Sequence, residues 1–116
     1  MTDRELDALV AERVMGLERD EKGYWQGELG VDFSQVDFEN GLPFYSTTGD
    51  GMLAVVEAMR GKGYGGVIYV DRPSAVFIKM PGVTSIADEM LMLVSADSLP
   101  RAVCLAALRA LKEPRS

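Results

Sequence analysis

The sequence predicts an α+β fold: an antiparallel β-sheet of about three to five strands sandwiched by α-helices, in the order helix, long loop, helix, a run of strands, helix. Two features of the pattern carry this reading. Three segments place apolar residues at the 3.6-residue period of a helix, and between the second and third of them the pattern changes to short runs of β-branched and aromatic residues. The composition agrees with a folded chain, since 47% of the 116 residues are apolar and 26% are charged. A chain of this length is expected to form a single domain over residues 1–116, because it can remove about 65% of its unfolded surface from water without covalent staples.

In the first helix Leu6, Leu9, Val10, Val14 and Leu17 form one apolar face. Thr2 and Glu5 have the spacing of a capping box, acids occupy the positive end of the helix dipole, and Gly16 is placed to stop the helix. Residues 18–45 follow as a long acidic and aromatic loop with at most short strands. The acids Glu18, Asp20, Glu21, Glu28, Asp32, Asp37 and Glu39 face only Arg19 and Lys22, and the rings Tyr24, Trp25, Phe33, Phe38, Phe44 and Tyr45 are too many for a solvated tail. Val31-Asp32-Phe33 recurs as Val36-Asp37-Phe38, and Asn40-Gly41-Leu42-Pro43 reads as a turn. The second helix carries Met52, Val55, Val56 and Met59 on a buried stripe, with Ser46, Thr47 or Thr48 as its cap and Gly61 or Gly63 at its end.

Val67–Val70 and Ala75–Met80 are then expected to pair across Asp71-Arg72-Pro73-Ser74. Pro81-Gly82 suits a type II turn, and Val83–Ile86 and Met90–Ser95 can supply further strands. The run Met90-Leu91-Met92-Leu93-Val94 is apolar throughout and is expected to be a central strand covered on both faces. The last helix starts at Asp97 or Ser98 and runs to about Leu111 before Pro114. It sets Leu99, Ala102, Val103, Ala106, Ala107 and Ala110 on one face of mostly small side chains, which can approach a sheet closely.

Charge and composition exclude several function classes. A net charge of −6 argues against sequence-independent binding to a phosphate backbone, so no nucleic-acid partner is expected. No histidine and the single Cys104 remove most nucleophilic and transition-metal chemistry, so no catalytic residue, metal or cofactor is expected. No apolar run reaches the length of a membrane span, and Met1-Thr2-Asp3-Arg4-Glu5 lacks the features of a secretion signal, so neither a membrane partner nor export is expected and the protein is placed in the cytoplasm.

Leu6-Asp7-Ala8-Leu9-Val10-Ala11-Glu12-Arg13-Val14-Met15-Gly16, the Tyr45-Ser46-Thr47 that opens the second helix, and Ser98-Leu99-Pro100-Arg101-Ala102-Val103-Cys104-Leu105-Ala106-Ala107-Leu108 together make the chain resemble the phage ABA sandwich domain over nearly its whole length. The resemblance lies in helix faces and caps. It implies a small phage or prophage protein, hence a bacterial host cytoplasm, with an antiparallel sheet between helical layers, and it brings no established activity or catalytic residue. Residues 18–44 and 81–89 depart from the family pattern.

The candidate sites each have a plain structural reading beside the functional one. Gly61-Lys62-Gly63-Tyr64-Gly65-Gly66 follows a helix and leads into a strand, the reverse of a phosphate cradle, and reads as a helix stop. The acids of the loop lack the spacing of a calcium loop and read as a solvated surface. Tyr24, Trp25, Phe38, Phe44 and Tyr45 are the candidate ligand or partner surface, because aromatics anchor interfaces; the competing reading is a satellite core that pins the loop. Arg101, Leu105, Leu108 and Lys112 are the candidate oligomer interface on the outer stripe of the last helix. Either a two-fold homodimer covers those leucines or residues 18–45 do so through Phe33 or Phe38. The function expected is a non-enzymatic binding module acting on a host protein or small ligand. The alternatives are a magnesium-dependent carboxylate enzyme on a phosphorylated substrate and the sequestration of a nucleotide defence signal.

Overall fold

The computed structural model describes residues 1–79 and 93–112. Helix α1 spans Asp3–Arg13, and its start is fixed as the capping box predicts: the Thr2 hydroxyl accepts the Glu5 N–H while the Glu5 carboxylate accepts the Thr2 N–H. It ends before Gly16, whose φ of 70° is the left-handed geometry that lets the chain leave a helix. Helix α2 spans Gly49–Gly61 with Thr48 as its cap, and helix α3 spans Leu99–Lys112.

Between α1 and α2 the loop contains a small antiparallel ribbon, β1 (Glu18–Arg19) against β2 (Trp25–Gln26), and a 3₁₀ turn at Phe33–Gln35. After α2 come β3 (Tyr64–Tyr69), β4 (Ser74–Lys79) and β5 (Val94–Ser95), which form an antiparallel sheet in the order β3-β4-β5. The hairpin pairs Val67 with Val76 and Ile68 with Ala75, in agreement with the period change in the sequence. Its strand β3 begins three residues earlier than the apolar run suggests, because the glycines at 65 and 66 contribute backbone pairing without a side-chain signal. Gly66 stands opposite Phe77, and a Cβ there would lie 3.0 Å from that ring, so the bare backbone makes room for it.

The middle strand is β4, with Ala75, Val76 and Phe77 all buried. The sequence assigns the central place to Met90–Val94. Of that run, Leu93 and Val94 are half-buried, and Val94 pairs with Ala75 at an edge of the described sheet. Residues 90–92, the turn at Pro81-Gly82, the strand at Val83–Ile86 and the stop at Pro114 lie outside the described residues.

Helix α3 packs on β4 and β5 and also meets α1 and α2, while α2 reaches β3, so α3 is covered on more than one side. This is why so much of it is apolar: Ala102, Val103, Ala106, Ala107 and Ala110 of the predicted small-residue face are buried, Leu99 of that face is half-buried, and Cys104, off that face, is buried as well. From α1 and its C-cap come Leu6, Val10 and Val14, and from α2 Val55 and Met59, each burying a side chain worth about 1.5–3 kcal/mol.

Candidate functional site

The long loop is held against the body by two charged residues of α1. Arg4 Nη2 donates to the carbonyl of Leu42 at 3.0 Å and Nη1 to that of Pro43 at 3.4 Å, while its guanidinium lies 4.3 Å from the centre of the Phe44 ring. The same group pairs with Asp7 at 2.8 Å and with Asp37 at 3.5 Å. Asp7 is fully buried, and its other oxygen accepts the Ser46 N–H at 2.7 Å. Burial raises the Asp7 carboxyl above its ordinary range, and the hydrogen bonds from Ser46 and the Arg4 charge pull it back down. The sequence carried a signal for this, since Asp7 sits beside Leu6 and three residues before Val10, on the apolar stripe where a carboxylate needs a partner.

Three of the five candidate aromatics belong to this fastening. Tyr45 is fully buried and its hydroxyl donates to the Leu29 carbonyl at 2.7 Å. Trp25 is buried, its backbone N–H donates to Asn40 O at 2.8 Å, and the Arg19 guanidinium lies 4.7 Å from its ring. Phe44 is half-buried under Arg4.

The other two face water. Tyr24 is 36% exposed and Phe38 is 88% exposed. Phe38 stands on a closed turn: Asp37 N–H donates to Leu42 O at 2.9 Å, Gly41 N–H donates to Asp37 O at 2.7 Å, and the Asp37 carboxylate accepts the Glu39 N–H at 2.9 Å. Val36 and Pro43 form a β-bridge at the base of this turn. Gly41, with φ of 71°, brings the turn onto Tyr24, so close that a Cβ would lie 2.5 Å from the ring. Beneath Tyr24 is a hollow of about 250 Å³ lined by Trp25, Leu29, Val36 and Gly41 among others. Its walls are rings, aliphatic groups and backbone, a surface suited to receiving or presenting an apolar side chain.

The remaining sequence candidates have structural partners. The glycine-rich stretch is a helix stop: the N–H of Lys62 donates to Ala58 O and Met59 O, that of Gly63 to Arg60 O, and Gly63 has a φ of 91°. Cys104 is fully buried, and that burial, with a further contribution from Asp7, pushes its thiol far above the usual range. On α3, Arg101 pairs with Asp3 and donates to Met1 O at 2.8 Å, tying the helix to the start of α1, a contact over nearly the whole chain that no local pattern announces. Leu105 and Leu108 are half-buried and pack against the core. Phe38, with its ring in water, does not cover them. Lys112 is the last residue of α3.

No protein-family model matches the chain, and no curated protein is similar to it in sequence. Among solved structures, a phage protein from Bacillus cereus ATCC 14579, determined at 2.0 Å, shares the fold with a TM-score of 0.59 at 21% identity. The likeness covers 93% of this chain and 90% of that one. No helix among the described residues is long and apolar enough to cross a membrane.

Proposed function

We propose that this chain is a small phage- or prophage-type protein, related to the phage ABA sandwich domain, that acts as a single non-enzymatic domain in the host cytoplasm by binding a host protein through Phe38 and Tyr24. The observation that carries the reading is Phe38, a large ring 88% exposed on a turn whose backbone is closed by its own hydrogen bonds. Burying such a side chain is worth about 1.5–3 kcal/mol, a gain the fold leaves unused and a partner can collect. The turn is closed by its own hydrogen bonds and a β-bridge, which limits what binding must order. Trp25 lines the hollow beneath Tyr24, and Phe44 and Tyr45 anchor the end of the loop that follows the turn. A macromolecular partner suits the site better than a small ligand, because the hollow of about 250 Å³ lies below the range of about 300–1,000 Å³ usual for small-molecule pockets. The shared fold with a phage protein supports the phage-type assignment.

A photo-crosslinking side chain placed at position 38, and in a second sample at exposed Val70, tests this in bacterial lysate. One host protein captured from position 38 and absent from position 70 is the expected result. The same set of proteins from both positions, or none from position 38, overturns the reading.

A further inference from the structure

A second surface, on α2 and the loop opposite it, has a different chemistry. Asp50, Leu53 and Glu57 lie along one side of α2, and across from them Glu28 and Asp32 stand on the loop, enclosing a groove of about 560 Å³. Its floor is apolar, with Val31 and Ala54 beside a Leu53 that is 57% exposed. The spacing of the two walls is fixed, because the loop packs onto the helix at Gly30: a Cβ there would lie 3.0 Å from both Ala54 Cβ and Met15 Cε. Glu57 is neutralised by Arg60 at 2.6 Å, whereas Glu28, Asp32 and Asp50 pair with no cation among the described residues. Nor do the described carboxylates gather into a group that could hold a metal ion, so their charge is spread along the groove over an apolar floor.

An exposed leucine flanked by uncompensated carboxylates on both walls is complementary to one kind of surface, an apolar side chain flanked by cations. We infer that this groove docks a basic amphipathic segment of a partner protein, with an apolar side chain against Leu53 and Val31 and lysine or arginine side chains reaching Glu28, Asp32 and Asp50. This surface is independent of the one built on Phe38.

The test uses the full chain and a fluorescein-labelled synthetic helix of lysines and leucines with the leucines on one face, read by anisotropy at near-physiological salt. A peptide of the same composition with its leucines scattered is the control for general attraction to an acidic protein. The wild type is expected to bind the amphipathic peptide at least about tenfold tighter than the scattered one. The exposed-site variants Leu53→Ser and Glu28→Lys/Asp32→Lys are each expected to lose at least about tenfold, while Glu12→Lys/Glu21→Lys, with the same change in net charge, stays within about twofold. Equal binding of the two peptides, equal losses in both double-charge variants, or a Leu53→Ser variant that binds as the wild type does, overturns the inference. Phe38→Ala is expected to leave this binding unchanged, so the two surfaces fail or stand separately.

Discussion

The buried Asp7 carboxylate accepts the Ser46 N–H at 2.7 Å, and this one bond joins the first turns of α1 to the residue two before the cap of α2. The same carboxylate holds Arg4, which in turn holds the Leu42 and Pro43 carbonyls, so the end of the long loop is fixed from a single point in the core.

Asp7→Ala is expected to cost about 3 kcal/mol, because it strips a buried N–H of its acceptor and removes one carboxylate from Arg4. Ser46→Ala keeps that N–H and loses the hydroxyl's 3.3 Å contact with Asp3 O and its hydrogen bond to the Asp7 carboxyl, so it should cost about 1 kcal/mol. Urea unfolding of the two variants gives the comparison. Equal costs would show that the bond through the backbone does not carry the fastening.

The same residue sets a pH dependence. The folded-state pKa of Asp7 lies above its ordinary value of 3.8, so over the window between the two the folded protein holds the proton more firmly than the unfolded chain. The penalty of the buried charge is therefore present above the folded pKa and relieved as pH falls through it. Relative to Asp7→Asn, the wild type should gain melting temperature as pH falls from neutral toward the ordinary carboxylate value. A relative loss over that interval would contradict the burial argument.

The packing of α3 on the sheet is tested by Ala106→Leu. Ala106 is buried at the centre of the small-residue face, and three added carbons should destabilise by about 1–3 kcal/mol through overpacking. An unchanged melting temperature would mean that the helix can move off the sheet without cost.

Two glycines of α2 separate space from conformation. At Gly51 a Cβ would lie 2.5 Å from Phe44 O and 2.6 Å from Tyr45 Cα, both backbone atoms, so Gly51→Ala should cost about 2 kcal/mol or more by displacing the loop end. At Gly49 nothing lies within 4 Å, and Gly49→Ala should be neutral or stabilise by up to about 1 kcal/mol. Thermal melts of the pair give the contrast, and a tolerated Gly51→Ala would show that the contact between loop and helix is loose.

What the sequence made legible was local. The capping box at Thr2 and Glu5, the caps around Thr48 and Ser98, the stop at Gly61–Gly63 and the hairpin pairing of 67–68 with 75–76 all rest on residues a few positions apart, where period and turn chemistry act. The small-residue face of α3 was legible for the same reason. The long loop was not, because its order comes from Arg4 and Asp7, which are about 38 positions away from the atoms they hold. Aromatic content alone could not separate Trp25 and Tyr45, which pin the loop, from Phe38, which the loop displays. The repeat Val31-Asp32-Phe33 and Val36-Asp37-Phe38 likewise hid a difference in setting: the first runs into a 3₁₀ turn, the second into a turn closed by its own aspartate. The groove of α2 brings together acids from two separated segments, which only the fold could place opposite each other.

The binding-module account stands most directly on the affinity of the host protein captured through position 38, once purified, for the wild type and for Phe38→Ala. Because the ring makes so little contact within the chain, the variant should melt as the wild type does. Its affinity should nevertheless fall by about 2 kcal/mol or more, the loss expected of an aromatic anchor at the centre of an interface. An affinity within about twofold of wild type, with the fold intact, would contradict the account.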